Sequence, residues 1–303
     1  MTTKGIYNTL VTQMDKLARH NRQGSFRTKD RYYEAVKRFC VYLAAHYHLQ
    51  KLENISGKHL VSYVLYLQEQ GKSASTVKTD LSAIRFFHDK MSHPRYTLPD
   101  NEELGVALER RRFGQQDRTW TNPEFGKLIG RAMAEEREDY ILALYLARYA
   151  GLRIHECFRM DTATAERALR ENALTVKGKG GKVRTVPIED ERILMMLKRV
   201  LAQTERGHKL LVPDGMPTDR AINALELFIY RCRNEIGDEG SDRRLTFHGL
   251  RHTYAAEKYT RLTEGGMSAI DAHYAVSRLL GHERADVTDI YLASVRKRGS
   301  DGE

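Results

Sequence analysis

Apolar residues recur at spacings of three and four along almost the whole of this chain, and a single stretch, ALTVKGKGGKVRTVPI at residues 173–188, departs from that rhythm. Those spacings place side chains on one face of a helix, whereas two β-prone runs joined by a glycine-lysine turn form a hairpin. The expected fold is therefore mainly α, with one small antiparallel sheet set among helices. After Ser25 and Thr28, either of which can cap a helix, Tyr32, Val36, Phe39, Tyr42 and Leu43 keep the helical spacing until about His48. Ser56 can open a second helix with Leu60, Val61, Val64 and Leu65 inward and Gly71 at its end. In GKSASTVKTDLSAIRFFHDKM, Val77, Leu81, Ile84 and Phe86 or Phe87 form an apolar stripe beside Lys78, Arg85 and Lys90. Together these read as a small helical bundle with basic edges.

From Pro94 to about Trp120 the periodicity weakens, with room for one short helix and with a basic run Arg110-Arg111-Arg112. Thr121-Asn122-Pro123-Glu124 then reads as a capping box opening a new helix. The expected organisation is a helical domain over 1–112, a linker at 113–119 and a second domain over 120–303. Residues 138–158 form a strongly apolar helical pattern broken at Gly151, and the chain after Asp190 is again mostly helical.

Charge narrows the choice of partner. The formal net charge is +10, and its distribution is uneven: residues 1–118 carry 20 Lys and Arg against 12 Asp and Glu, leaving 30 against 28 for the rest. A basic first domain suits a polyanion, with Lys72, Lys78, Arg85, Lys90, Arg110 and Arg111 there, and Lys177 and Lys182 on the hairpin, as candidate DNA contacts. Basic faces are also ordinary solvated surface. No apolar run approaches the roughly 20 residues of a membrane helix, and the N-terminal residues lack the apolar stretch of a signal peptide, so a cytoplasmic protein is expected. Cys40, Cys157 and Cys232 are widely separated and suggest neither a disulfide framework nor a metal site. His248 and His252 are four apart, but Gly249 stands where a zinc-protease helix needs glutamate, and GKGGK lacks the spacing of a phosphate-binding loop. Neither a metal nor a cofactor is expected.

Four further motifs follow one another: ARYAGLRIHE around Arg153, VKGKGGKVRTVPI around Lys179, FHGLRHTYA with His248 and Arg251, and LLGHERADVTDIY with His282 and Tyr291. In this order, and with nine residues from His282 to Tyr291, they resemble the tyrosine recombinases of the phage integrase and Xer type. The stretch GKSASTVKTDLSAIRFFHDKM, Gly71–Met91, resembles the end of that family's helical, SAM-like core-binding domain. The resemblance implies site-specific cutting and rejoining of duplex DNA through a 3′-phosphotyrosine and a Holliday junction. It also implies a chain that is monomeric in solution and tetrameric on its recombination site, with accessory proteins possible. Arg153, Lys179, His248, Arg251, His282 and Tyr291 occupy the positions of the family's catalytic residues.

Chemistry supports that assignment. Displacement at a phosphodiester needs a nucleophile, neutralisation of the non-bridging oxygens and a proton for the departing oxygen. Arginine stays charged and donates in a planar fork, which suits Arg153 and Arg251 to the oxygens. A free phenol has a pKa of about 10, so Tyr291 needs help to lose its proton, from His248 or else His282. Lys179 is suited to protonating the leaving 5′ oxygen, in preference to its neighbours Lys177 and Lys182. In isolation, Arg153 and Glu156 also fit a plain helix ion pair, with Glu156 orienting an arginine.

The resemblance has departures. TRLTEGGMSAIDAH lengthens the interval between Arg251 and His282 and reads as an extra helix or loop, and MDTATAERALRENAL lacks the family's tryptophan and aspartates. Twelve residues follow Tyr291, which leaves the mode of subunit contact open, and no arm-type DNA-binding domain is expected. Two rival functions stand at this point. A DNA-binding regulator would use YAVSRLLGHERADVT as a helix-turn-helix, and a type IB topoisomerase would use the phosphotyrosine chemistry without a specific site.

Overall fold

The computed structural model describes residues 2–19, 26–109, 117–178, 181–282, 285–292 and 295, the side chains of 26, 27, 285 and 286 aside. The chain divides into two compact units, Met1–Arg112 and Phe113–Glu303.

Among its described residues the first unit has four α-helices, α1 (Thr3–Arg19), α2 (Phe26–His46), α3 (Gly57–Glu69) and α4 (Ala74–His88), and a single 3-10 turn at Leu52–Asn54. Helix α1 precedes the first helix expected from the sequence; Ile6, Leu10 and Met14, four residues apart, are buried and hold it on α2 and α4. The expected cap is present on α3, where Ser56 and His59 form a reciprocal box, and α4 is capped by Ser73, which accepts from Thr76 N. The inward face of α3 differs from the expected one. Leu60 and Val64 are buried, but Leu65 is 46% exposed, and Tyr63 and Leu67 point inward instead. The expectation counted aliphatic residues only, whereas the helix turns its tyrosine to the core because the hydroxyl finds a buried partner in Asp80. Beyond α4 no helix forms among the described residues of 94–109; Leu98, Leu104, Val106 and Leu108 pack on the bundle's core. Arg85 anchors this segment, Nε donating to Pro99 O at 2.8 Å and Nη1 to Asn101 Oδ1 at 2.8 Å.

In the second unit Thr121 and Glu124 close the expected capping box on α5 (Asn122–Ala134). Helix α6 (Glu138–Ala150) is buried along most of its length, as its all-round apolar pattern requires, and packs against α5, α9 (Glu191–Ala202) and α11 (Phe247–Glu264). It stops at Gly151, in the left-handed region at φ 63°; a side chain there would also meet Tyr254 at 2.4 Å. A short α7 (Ile154–Cys157) follows, then α8 (Thr162–Glu171), capped by Asp161. The expected hairpin is present as β1 (Ala173–Lys177) and β2 (Val183–Pro187), antiparallel with Ala173 opposite Pro187 and Lys177 opposite Val183. Helices α10 (Thr218–Ile236), α12 (Ala269–Leu280) and α13 (Ala285–Tyr291) complete the unit. The segment TRLTEGGMSAIDAH is no added element: its first part is the end of α11, its last part the start of α12, and Ser268 caps α12.

Candidate active site

FHGLRH places His248, Arg251 and His252 at positions i, i+3 and i+4 of α11, hence on one face of the helix. Gly249 lies on another face, where any side chain would meet the carbonyl of Arg118 at 2.4 Å and the Trp120 ring at 2.8 Å. That close approach lets Trp120 Nε1 donate to Thr246 O at 3.0 Å and Trp120 N to Thr253 Oγ1 at 2.8 Å. The start of α11 is thereby pinned to the strand of chain entering α5.

Tyr291 comes to this face from the last turn of α13. Its Oη lies 3.1 Å from His248 Nε2, its ring stacks on His252 with centroids 4.2 Å apart, and His282 sits 4.8 Å away on another side. The Tyr291 side chain is buried, whereas His248 is open to solvent at the edge of the site. His282 is fixed by Thr288, whose Oγ1 is 2.8 Å from Nδ1, and its Nε2 faces Arg251 Nη2 at 3.3 Å.

Arg251 is completely buried. It donates through Nη1 to Gly151 O and through Nη2 to Leu280 O at 2.5 Å, so it ties together the ends of α6 and α12. Its Nε finds no acceptor among the described residues. Loss of hydration lowers its pKa to about 10, the neighbouring charges of Arg153 and Arg184 adding to the effect.

Glu156 links the arginines. Its carboxylate, buried in α7, accepts from Arg153 N at 2.8 Å, Arg153 Nη1 at 3.0 Å and both terminal nitrogens of Arg184 at 2.7 and 2.8 Å; Arg251 Nη1 is 4.0 Å away. Burial alone would raise this carboxyl, but the hydrogen bonds from Arg184 and Arg153 and the surrounding positive charge outweigh it and bring its pKa to about 2. Arg184, on β2, also donates from Nε to Leu279 O at 2.9 Å and packs where a side chain on Gly281 would meet it at 2.9 Å. One guanidinium thus joins the hairpin, α7 and the end of α12. Arg184 escaped the sequence reading; its legible sign is that it shares a face of β2 with Val186 and lies opposite Val176.

Loss of hydration and the nearby arginines lower His252 and His282 to about 3; His248, exposed along one edge but otherwise surrounded by protein, is lowered to about 4 by the same causes. Among the sequence-derived candidates, Arg153, His248, Arg251, His282 and Tyr291 are brought together. Lys179, Arg110 and Arg111 lie outside the described residues, while Lys177 and Lys182 are exposed on either arm of the hairpin. In the first unit Lys72 is exposed, Lys78 half-buried, Arg85 engaged as above, and Lys90 Nζ lies 4.6 Å from the Phe86 ring.

Residues 126–298 match the phage integrase family, and residues 16–92 match the phage integrase N-terminal SAM-like domain. The chain is a tyrosine recombinase of the phage integrase family. Similar curated proteins include the tyrosine recombinase XerS of Streptococcus sanguinis, 26% identical with 80% of this chain and 77% of the relative covered. XerD of Halalkalibacterium halodurans is 24% identical, with 88% and 86% covered. In fold the recombinase is similar to the Tn1549 transposon integrase in complex with circular intermediate DNA (TM-score 0.62, 17% identity, 99% of each chain covered). It is also similar to a lambda integrase dimer bound to a COC′ core site (TM-score 0.63, 19% identity, 94% of this chain and 76% of that one). As a member of this family it is a site-specific DNA-breaking and rejoining enzyme. No helix among its described residues is long and apolar enough to cross a membrane.

Proposed function

We propose that this recombinase cuts duplex DNA by attack of Tyr291 Oη on a backbone phosphorus. The P–O5′ bond breaks as the 3′-phosphotyrosine bond forms, and the strand is rejoined when a 5′ hydroxyl reverses the step. Neutral His248 takes the phenol proton; Arg153 and Arg251 hold the non-bridging oxygens, the Arg251 Nε–H being a further donor; His282, whose Nε2 accepts from Arg251, orients that arginine; and Lys179 protonates the departing oxygen. The ester retains the energy of the broken bond, so no nucleotide is consumed. Exchange between two sites passes through a Holliday junction within a tetramer on DNA, formed from chains that are monomeric when free. Residues 1–112 form the core-binding domain and 120–303 the catalytic domain, joined by 113–119. Each domain contacts the duplex, with Lys72, Lys78, Lys90, Arg110, Arg111, Lys177 and Lys182 contacting phosphates and Arg85 adding charge. The setting is the bacterial cytoplasm.

The observation that carries this reading is the 3.1 Å approach of Tyr291 Oη to His248 Nε2 beside three arginines that share a single carboxylate. Its test is a duplex enriched from a randomised pool by binding to the full chain and then nicked. The unmodified chain should yield a complex that resists SDS, and Tyr291→Phe should bind the same duplex and yield none. A complex that persists in Tyr291→Phe refutes the assignment of the nucleophile. Relaxation of arbitrary supercoiled plasmid at the same rate would point to topoisomerase action instead.

A further inference from the structure

The nucleophile sits at the end of a helix of seven residues, Ala285–Tyr291. A helix that short has little stability of its own, so the direction of its last side chain is set by what packs on it. Thr288, one turn earlier, is buried and occupied with His282. Tyr291 itself makes a single side-chain hydrogen bond among the described residues, to His248. One hydrogen bond at the tip of a phenol leaves the ring free to swing and to turn about its own axis. One face of the ring lies flat on His252, the two planes 17° from parallel and the centroids 4.2 Å apart, whereas His282 meets the ring tilted at 42° and 4.8 Å and the Arg251 guanidinium lies 5.6 Å from its centroid. His252 also meets His248 edge-on, at 5.1 Å and 82°. It is 3% exposed, on a helix pinned by Trp120, and so forms a fixed wall.

From this geometry we infer that His252 is a positioning residue for the reaction: its flat ring sets the plane of the Tyr291 phenol and braces His248, so that Oη meets Nε2 before DNA arrives. The inference rests on Tyr291 being the nucleophile. It assigns no proton transfer to His252. What matters is a flat ring of this size, and its nitrogens are dispensable.

The test compares His252→Phe, which keeps a flat ring, with His252→Ala, which removes it, in the full chain. On the nicked duplex enriched from a randomised pool, covalent complex should form at close to the parent rate in His252→Phe. In His252→Ala it should form about tenfold more slowly, the scale of one lost aromatic pair, with non-covalent DNA binding unchanged in both. In the free protein with ring-labelled tyrosine, the Tyr291 signal, assigned by its loss in Tyr291→Phe, should move on His252→Ala. If His252→Ala melts early, His252→Leu, which fills the space without a flat ring, takes its place with the same expectation. Equal rates in His252→Ala and the parent, or a loss in His252→Phe as large as in His252→Ala, overturn this inference alone. A parent chain that forms no covalent complex at all overturns the assignment of the nucleophile and this inference with it.

Discussion

Asp80 in the first unit and Glu156 in the second are both buried carboxylates, and they are satisfied in different ways. Asp80 accepts from Arg38 at 2.7 Å and from Tyr63 Oη at 3.0 Å, and Arg38 is half exposed. One positive group answers one negative group, and the pair ties α2 to α4 with nothing left over. Around Glu156 stand Arg153, Arg184 and Arg251, three guanidinium groups for one carboxylate. Glu156 orders the three without neutralising them. A surplus of fixed positive charge in a partly buried place is costly unless an anion completes it, and a DNA phosphate is such an anion. The first unit spends its buried polar groups on holding helices together, the second on gathering three guanidinium groups around one carboxylate.

This contrast can be broken by experiment. Glu156→Gln leaves the three arginines facing one another and should lower stability by about 3–5 kcal/mol, the scale of a buried pair stripped of one partner. Asp80→Asn keeps a hydrogen-bonding group beside a half-exposed arginine and should cost about 1–3 kcal/mol. Urea unfolding followed separately in each variant checks this, and equal losses would mean that the arginine cluster holds no unbalanced charge. Arg153→Lys should slow covalent complex formation by about 10²–10³-fold with folding intact, since a point charge cannot replace the fork. Arg38→Lys, the matching change at Asp80, should leave cleavage as it was.

Acid gives the smallest effect. The unfolded chain takes up protons on its histidines near pH 6.5, while folded His252 stays neutral down to about 3. Its contribution to stability is therefore whole above pH 6.5 and is lost as pH falls from there toward 3. His59 and His88 of the first unit are lowered by burial too, so the effect is read as a difference between variants. The fall in melting temperature from neutral pH to about pH 5 should be shallower in His252→Phe than in the parent. An equal fall would show that the His252 ring is not kept neutral by its surroundings.

Much of this was legible beforehand because it is local. The Thr121 capping box, the stop at Gly151 and the hairpin at 173–187 follow from residues within a few positions of one another. So does the shared face of His248, Arg251 and His252. Helix α1 has its own local signs, the spacing of Ile6, Leu10 and Met14 and a threonine cap, Thr2 Oγ1 accepting from Gly5 N at 3.2 Å. The inward turn of Tyr63 could not be read from α3, because it depends on Asp80 in another helix.

Residue order by itself determined the helical periods, the one hairpin, the two-part organisation and the identity of the groups that meet around Tyr291. The tertiary structure decided which of them touch. Arg184 reaches Glu156 from 28 positions away, Arg251 reaches Gly151 from 100 positions away, and Tyr291 reaches His248 from 43. Periodicity reports only which side of an element is buried. The partner found there depends on how whole elements pack, and a guanidinium at the end of a long side chain has the same local signature whether it meets a carboxylate, a carbonyl or water.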